Sequence, residues 1–435
     1  MNFKNKKILI MGLGVIGKGL KDALFFYNQG AKVTVTDLKD ESKLQESVNE
    51  LKKYSDIKLH LDGHLESDFK ENDIIIRNPA VPKNSKFLNI ARENNKEIFM
   101  EDSLFTKLTK AKVVGITGTR GKTTTSTLIY EILKYADLDV YLSGNVRGTV
   151  SLPLLDKVQE DSYVILELSS WQLQGFADEK ISPQYAVITN IYEDHLNRYK
   201  GMGEYVNDKK NIYKFQQETD FLFLSEDMNP EYLADFQNEA ISQKIYFSKK
   251  DTQNYKTNLI GSHNLENIAA ARAFALKIGI DEETIKKAVE NFQSIEFRLE
   301  KIKELEGIIF INDSASTAPI AGIKALNSFE EKVLLIAGGA SKDLDLDNFA
   351  KTIKKKCKKV ALLEGSDTSR LKELLPEDLI LGTFQNLESA VKILYKQAEK
   401  GDVILLSPGS ASFGIFKNEF DRGEQFNKIV DKLVA

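Results

Sequence analysis

The chain carries a single cysteine in 435 residues. No internal disulfide can form, and no multi-cysteine zinc or iron–sulfur centre can be built. The thiol, Cys357, stands among lysines in the run Lys354–Lys359, which reads as a surface position where neighbouring cations lower the pKa. An excess of one charge is also missing. The formal net charge is −4, so no global field draws in nucleic acid or an anionic membrane, and neither is expected as a partner. No apolar run approaches the ~18 residues of a spanning helix. Lys4, Lys6 and Lys7 precede an apolar stretch in the manner of a signal peptide. A small-residue cleavage site is lacking and Lys18 follows directly, so glycine spacing explains the segment better. Internal repeats and low-complexity linkers are absent as well. A cytoplasmic protein in a reducing compartment is expected.

What is present is the balance of a globular chain, 42 % hydrophobic and 29 % charged residues. At ~150 residues per domain, about three domains are expected. Short apolar strands alternate with longer Lys/Glu-rich amphipathic segments, the pattern of parallel sheets with crossover helices. Strands are expected at Lys7–Met11, Lys32–Thr36, Asp73–Ile76, Val113–Thr117, Tyr163–Leu168 and Tyr185–Ile191. Further strands are expected at Phe221–Leu224, Ile308–Ile311, Val333–Ile336, Val360–Leu363 and Val403–Leu406. Composition marks no boundary, so motifs place them. A first nucleotide-type unit closes near residue 100, a second opens at Val113 and runs through the helix Leu265–Lys277, and a third begins near Phe297 and Arg298.

Two glycine loops carry the chemistry. Gly12-Leu13-Gly14-Val15-Ile16-Gly17 follows a strand and opens a helix, and Asp37 ends the next strand. The glycines allow a tight turn close to a diphosphate, the helix N-terminus offers unpaired N–H groups, and Asp37 can accept from a ribose hydroxyl. This signature indicates a nucleotide diphosphate without separating a dinucleotide from a UDP-sugar. The second loop, Gly118-Thr119-Arg120-Gly121-Lys122-Thr123-Thr124, is the stronger signal. Its backbone N–H groups can cradle phosphates, Lys122 can reach the transferred phosphate, and the Thr123 hydroxyl can bind Mg²⁺. It is a variant, because Ile116 stands where the strict spacing needs glycine. Two phosphate loops favour a two-substrate nucleotide enzyme over a dehydrogenase, which would leave the second loop idle.

Other residues point the same way with less force. Glu167 at a strand end is placed as a Mg²⁺ ligand or is a solvated acid. His195 reads as a ligand, a base or a structural residue, and Lys209 and Lys210 alone read as a solvated helix face. Asn264 and Asn267 share a helix face and could meet a base edge or cap the helix. His60 and His64 show no partners and read as surface residues.

In order along the chain stand Thr-Gly-Thr-x-Gly-Lys-Thr, Glu-Leu-Ser-Ser-aromatic-Gln-Leu, Asp-His-Leu-x-Arg-Tyr, Gly-x-His-Asn-x-x-Asn, Asn-Asp-Ser and Ser-Pro-x-x-Ala-Ser. This set resembles the Mur ligases over essentially the whole chain, and the segments Glu167–Leu173 and Ser407–Gly423 look most like the D-glutamate-adding members. The resemblance implies an α/β fold of three domains. These are a Rossmann-like UDP-substrate domain at 1–100, a central P-loop-type mononucleotide-binding domain at 101–297 and a Rossmann-like amino-acid domain at 298–435. It implies a monomer that uses ATP and Mg²⁺, with two metal sites, to add D-glutamate to UDP-N-acetylmuramoyl-L-alanine through an acyl phosphate in peptidoglycan precursor synthesis.

The resemblance also implies roles. Gly118, Thr119, Arg120, Gly121, Lys122, Thr123 and Thr124 would hold the ATP phosphates, Asn264 and Asn267 adenine, and Arg298 and Asp313 ATP from the third domain. Lys122, Glu167, His195 and Lys209 would be the catalytic set. Metal would be held by Thr123, Glu167, His195 and Lys209, the last as a carbamate, because a bare ammonium repels Mg²⁺. Val15, Ile16, Gly17, Asp37 and Lys39 would hold the uridine diphosphate, and Asn145, Ser169 and Gln172 the muramoyl side. Thr317, Lys342, Ser412 and Phe413 would form the D-glutamate pocket. Arg120, Ala315, Glu419 and the Asn78-Pro79-Ala80 segment depart from the family pattern, which bears on pocket detail rather than reaction class. Rival readings are a related ligase with another acceptor amino acid, an inactive nucleotide-binding regulatory protein, and a nicotinamide oxidoreductase using only the first loop.

Overall fold

The computed structural model describes residues 1–14, 17–194 and 198–434. The N-terminal sheet has strands β1 (Lys7–Met11), β2 (Lys32–Thr36), β3 (Lys58–His60), β4 (Ile74–Arg77) and β5 (Glu97–Phe99), in the order β3-β2-β1-β4-β5. All its pairings are parallel. The inner strands are near-continuous apolar runs because crossover helices cover both faces of such a sheet. Strand order reverses at β1, so the crevice beyond the carboxyl ends of β1 and β4 is where an open α/β sheet takes its ligand.

The middle sheet has β6 (Lys112–Thr117), β7 (Val140–Gly144), β8 (Tyr163–Glu167), β9 (Tyr185–Ile188), β10 (Phe221–Ser225) and β11 (Gln243–Phe247). Its order is β11-β10-β9-β6-β8-β7, again parallel throughout. The reversal falls at β6, flanked by β8 and β9, and the second glycine loop leaves its carboxyl end. The third sheet has β12 (Glu300–Leu305), β13 (Ile308–Asn312), β14 (Val333–Ala337), β15 (Cys357–Leu363), β16 (Ile380–Phe384) and β17 (Val403–Leu406). Its order is β12-β13-β17-β14-β15-β16, parallel except for the antiparallel edge strand β12.

Two compact units result. One comprises Met1–Tyr255 with Glu266–Val289 and contains the first two sheets; the other comprises Lys256–Leu265 and the chain from Glu290 on. In the first unit a continuous apolar core includes the edge-to-face rings of Phe3 and Phe26, centroids 5.0 Å apart, together with Phe105, Leu173 and Phe176. In the second unit apolar side chains cover both faces of the sheet. Among the described residues no helix is long and apolar enough to cross a membrane.

Three expectations for single residues are corrected. Cys357 opens β15 opposite Val333 and is only 2 % exposed, and burial pushes its thiol up to about 12 rather than down. The lysines beside it point elsewhere: Lys356 donates to the Phe329 carbonyl at 2.6 Å and Lys358 pairs with Asp402. His60 lies 2.7 Å from Asp68 through Nδ1. His64 shares a 2.7 Å hydrogen bond with Thr36 Oγ1 and packs edge-on against Phe87, and this partial burial lowers its pKa.

The close approach of the first helix to its loop falls on a glycine outside the Gly12, Gly14, Gly17 motif. A Cβ at Gly19 would sit 2.7 Å from the Gly12 carbonyl oxygen and 2.8 Å from Leu13 Cα, whereas one at Gly17 would meet nothing. Gly19→Ala is therefore expected to destabilise the protein by about 1–3 kcal/mol through overpacking. An uncrowded helical site would instead gain up to about 1 kcal/mol from the same change. The sign of the shift in a urea unfolding midpoint distinguishes the two.

Candidate active site

The first loop turns through three glycines at positive φ, Gly12, Gly14 and Gly17. A Cβ at Gly12 would lie 2.8 Å from that of Asn78, so the loop presses on the carboxyl end of β4. Asp37 is buried and acts on the loop itself. Its Oδ2 accepts from the N–H of Leu13 at 2.8 Å and of Gly14 at 3.4 Å, and its Oδ1 from that of Lys39 at 2.9 Å. Lys39 is partly exposed beside it. Val15 and Ile16 lie outside the described residues.

The second loop is held by the end of β9. Thr119 N–H donates to the Asn190 carbonyl and Arg120 N–H to Asn190 Oδ1, both at 2.8 Å. Asn190 Nδ2 and Thr189 Oγ1 donate back to the Arg120 carbonyl at 3.0 and 2.7 Å. Gly118 and Gly121 both have positive φ, and a Cβ would collide with Thr189 at the first and with Asn267 at the second. Asn267 Oδ1 also accepts from Thr125 at 3.4 Å, so this asparagine stands against the loop. Lys122 opens the helix Lys122–Tyr135 and donates from Nζ to the carbonyls of Gly118 and Thr119, each at 3.1 Å. Thr123 is half-buried and Thr124 buried in the first turn. Arg120 lies 3.5 Å from Asp194. Thr189 and Asn190 were not singled out from the sequence; only the β6–β9 pairing reveals that Ile-Thr-Asn ends beside the loop.

Glu167 ends β8, level with Ile116 on β6 and Gly144 on β7. It is buried, and its Oε1 accepts from Asn145 Nδ2 at 3.2 Å. Its Oε2 is equally buried and accepts no hydrogen bond among the described residues. An unpaired buried carboxylate oxygen is costly unless a cation meets it, so the position fits a Mg²⁺ ligand. Few protein ligands are needed, because Mg²⁺ keeps several waters and takes phosphate oxygens. No group of three or more His, Cys, Asp or Glu that could hold a metal occurs among the described residues, and His195 lies outside them.

Lys209, on the helix Met202–Lys210, is 1 % exposed rather than solvated. It donates to the Gly118 carbonyl at 2.8 Å and lies 4.6 Å from the Tyr205 ring centroid. Burial, reinforced by the charge of Lys122, holds its pKa well below the ordinary lysine value. Its neighbour Lys210 turns away to Asp235 and Glu239, each at 2.7 Å.

Ser169 caps the helix Ser170–Glu179 in a capping box with Gln172. Both ends of the Gln172 amide are engaged: Oε1 accepts from the Ser169 N–H and Oγ, and Nε2 donates to Asp102 at 2.6 Å.

In the second unit, Asn264 donates to the Ile260 carbonyl at 2.9 Å. Arg298 is exposed. Asp313 follows β13 and accepts from Ser407 Oγ at 2.8 Å and the Leu299 N–H at 3.3 Å. Lys342 donates to Thr317 Oγ1 at 3.0 Å. Ser412 and Phe413 line a recess with Gly338, Gly339, Phe416 and Arg422. Phe413 is 63 % exposed. Arg422, overlooked in the sequence, is fully buried and ties two loops together. It donates to Ser314 Oγ and the Ser314 carbonyl at 3.0 and 2.8 Å, and to the Ser410 carbonyl at 3.3 Å. Burial draws its pKa down to about 10.

Comparison with known proteins covers the whole chain. Residues 6–100 match the Mur ligase MurD-like N-terminal domain, 116–257 the Mur ligase middle domain, and 297–409 the Mur ligase glutamate ligase domain. The UDP-N-acetylmuramoylalanine--D-glutamate ligase of Roseiflexus sp. (strain RS-1) is 38 % identical, with 100 % of each chain covered. That of Borreliella afzelii (strain PKo) is 36 % identical over 99 % of this chain and 98 % of its own. Among solved structures, the UDP-N-acetylmuramate-alanine ligase MurC of Thermotoga maritima shares the fold with a TM-score of 0.63. It is 19 % identical, covering 98 % of this chain and 99 % of that one.

Asp313 generates a pH prediction. Burial raises its carboxyl from 3.8 to about 7, although Ser407 and the Leu299 N–H oppose the shift. The native state then binds a proton that the unfolded state has released, so stability falls as pH rises from 3.8 to about 7. The slope is at most about 1.4 kcal/mol per pH unit. Asp313→Asn should flatten that decline, read as the difference in unfolding free energy between pH 4 and pH 8. An unchanged decline would show that Asp313 titrates normally.

Proposed function

The chain belongs to the Mur ligase family, and on that premise we propose that it joins D-glutamate to UDP-N-acetylmuramoyl-L-alanine at the expense of ATP, in peptidoglycan synthesis. The observation that carries the chemistry is the grouping at the carboxyl ends of β6 and β8. There a phosphate loop with its lysine, a buried carboxylate with one oxygen unpaired among the described residues, and a buried lysine of lowered pKa stand on adjacent strands and one packed helix.

The reaction needs these groups for a physical reason. A carboxylate is a poor acylating agent, and its approach to a triphosphate brings anions together. The L-alanyl carboxylate oxygen bonds to the γ-phosphorus while the β,γ-bridging P–O bond breaks and ADP leaves. The D-glutamate amine then bonds to the carbonyl carbon of the acyl phosphate. The C–O bond to phosphate breaks, inorganic phosphate departs, and the nitrogen loses a proton. Lys122 and the N-terminus of the helix Lys122–Tyr135 supply fixed positive charge where negative charge accumulates. Mg²⁺, held by Glu167 Oε2 and Thr123, would neutralise phosphate charge when bound. Thr189 and Asn190 keep the cradle in shape.

Lys209 fits a carbamate. Its amine gives up a proton readily, and a neutral amine adds to the carbon of CO₂ with release of one proton, turning a cation into an anion that tolerates Mg²⁺. The glycine loop with Asp37 and Lys39 is the uridine diphosphate site, with Asn145 and Ser169 on the muramoyl side. Thr317, Lys342, Ser412 and Phe413 take D-glutamate.

Phosphate release from ATP should require Mg²⁺, UDP-N-acetylmuramoyl-L-alanine and D-glutamate together, and L-glutamate should not substitute. Release with a different amino acid would move the acceptor, and no release with nucleotide binding intact would favour a regulatory protein. Lys209→Ala should be weakly active and partly restored by a short carboxylic acid standing in for the carbamate. Full activity without rescue would remove the modification from the mechanism.

A further inference from the structure

One cation directly behind the first glycine loop is unused by this account. Lys18 directly follows the first glycine loop and is the first residue of the helix Lys18–Asn28. A cation there opposes the helix dipole, and the first turn holds no acid to offset it. The side chain is nevertheless largely buried, so its placement serves something other than the helix. Its Nζ lies 3.5 Å from Glu101 Oε2, with the buried Asp22 and Asp102 also acting on its charge. It donates one short hydrogen bond, to the carbonyl of Gly144.

That carbonyl belongs to the peptide group joining Gly144 to Asn145. The other end of the same group, the Asn145 N–H, donates to the Glu167 carbonyl at 2.7 Å. The peptide is thus held at both ends, at oxygen by Lys18 and at nitrogen by Glu167. Gly144 has φ of 86°, and a Cβ there would collide with the Glu167 carbonyl, so only glycine fits. Glycine also gives the peptide plane the greatest freedom to turn, which makes a clamp on its oxygen consequential. Asn145 then directs its side-chain amide onto Glu167 Oε1 at 3.2 Å, leaving Oε2 without a hydrogen bond among the described residues.

We propose that Lys18 is a positioning residue that couples the uridine diphosphate loop to the Glu167 carboxylate through the Gly144–Asn145 peptide. The inference rests on the assignment of Glu167 to the metal made above. Lys21, one turn further along the helix, donates to the Gly148 carbonyl at 2.8 Å. It fastens the same segment without touching this peptide, and so provides the comparison.

The test measures Mn²⁺ binding in the presence of ADP by electron paramagnetic resonance, alongside kcat and the KM values. Groups that orient metal ligands indirectly typically change metal affinity or activity by 10–100-fold. Lys18→Met should weaken Mn²⁺ binding by roughly 10-fold and lower kcat, with KM for ATP little changed. Lys18→Arg should recover part of the loss, and Lys21→Met should bind Mn²⁺ like the wild type. Because Lys18 acts through Asn145, Lys18→Met should add little in an Asn145→Ala background. Normal Mn²⁺ binding by Lys18→Met, equal losses in the two lysine variants, or additive losses with Asn145→Ala would each overturn the proposal. If the wild type releases no phosphate with D-glutamate, the acceptor reading fails while the Mn²⁺ comparison keeps its meaning. If the wild type is active and Lys18→Met binds Mn²⁺ normally, only the positioning role fails.

Discussion

Everything at the centre of the first unit depends on how the backbone of residues 118–121 is held open. A loop that cradles phosphate at the start of its helix must still satisfy its own N–H groups, carbonyls and bends. Thr189 and Asn190, at the end of the neighbouring strand, meet that need with side-chain and backbone hydrogen bonds of 2.7–3.0 Å. Parallel pairing of β6 with β9 puts them there, and the glycines at 118 and 121 let them come close. The lysines then take their places by donating to carbonyls of the same loop.

The price of this arrangement is buried charge. Two lysines share the Gly118 carbonyl, and the more deeply buried, Lys209, answers by releasing its proton more easily. On the carboxylate side, Glu167 keeps one buried oxygen without a donor among the described residues. Each is a cost that an anionic triphosphate with its cation would relieve. Exposed pairs such as Lys392–Glu388 lie at helix spacing and contribute little by comparison.

The strands read correctly from the sequence are the inner ones, and those passed over are the edges. β8 and β14 are buried at every residue and spell Tyr-Val-Ile-Leu-Glu and Val-Leu-Leu-Ile-Ala. β3, β5, β7, β11, β12 and β16 lie at the sheet margins and are partly exposed. An edge has one neighbour and a wetter face, so it tolerates Lys-Leu-His or Glu-Lys-Ile-Lys-Glu-Leu and loses the apolar signal. β9 also stops at Ile188, where the chain leaves the sheet to brace the loop. Cys357 was misread for a related reason: its flanking lysines carry their charge outward while the thiol points into the sheet core.

The sequence by itself determined the doubly wound architecture, the two glycine loops, and a motif order specific enough to reach the family, because spacing along the chain records local geometry. Residue pattern alone left Lys209 and Lys210 as one solvated face and only the resemblance singled out Lys209; the tertiary structure separates them by direction, one into the loop and one to Asp235 and Glu239. The sequence could not assign Asp37 to bracing its own loop, the two hydrogen-bond directions of Asn190, the buried Arg422 between Ser314 and Ser410, or the reach of Lys18 to Gly144. Those contacts join residues up to 126 positions apart. Only packing brings such groups within hydrogen-bond distance, and only burial then sets their charge.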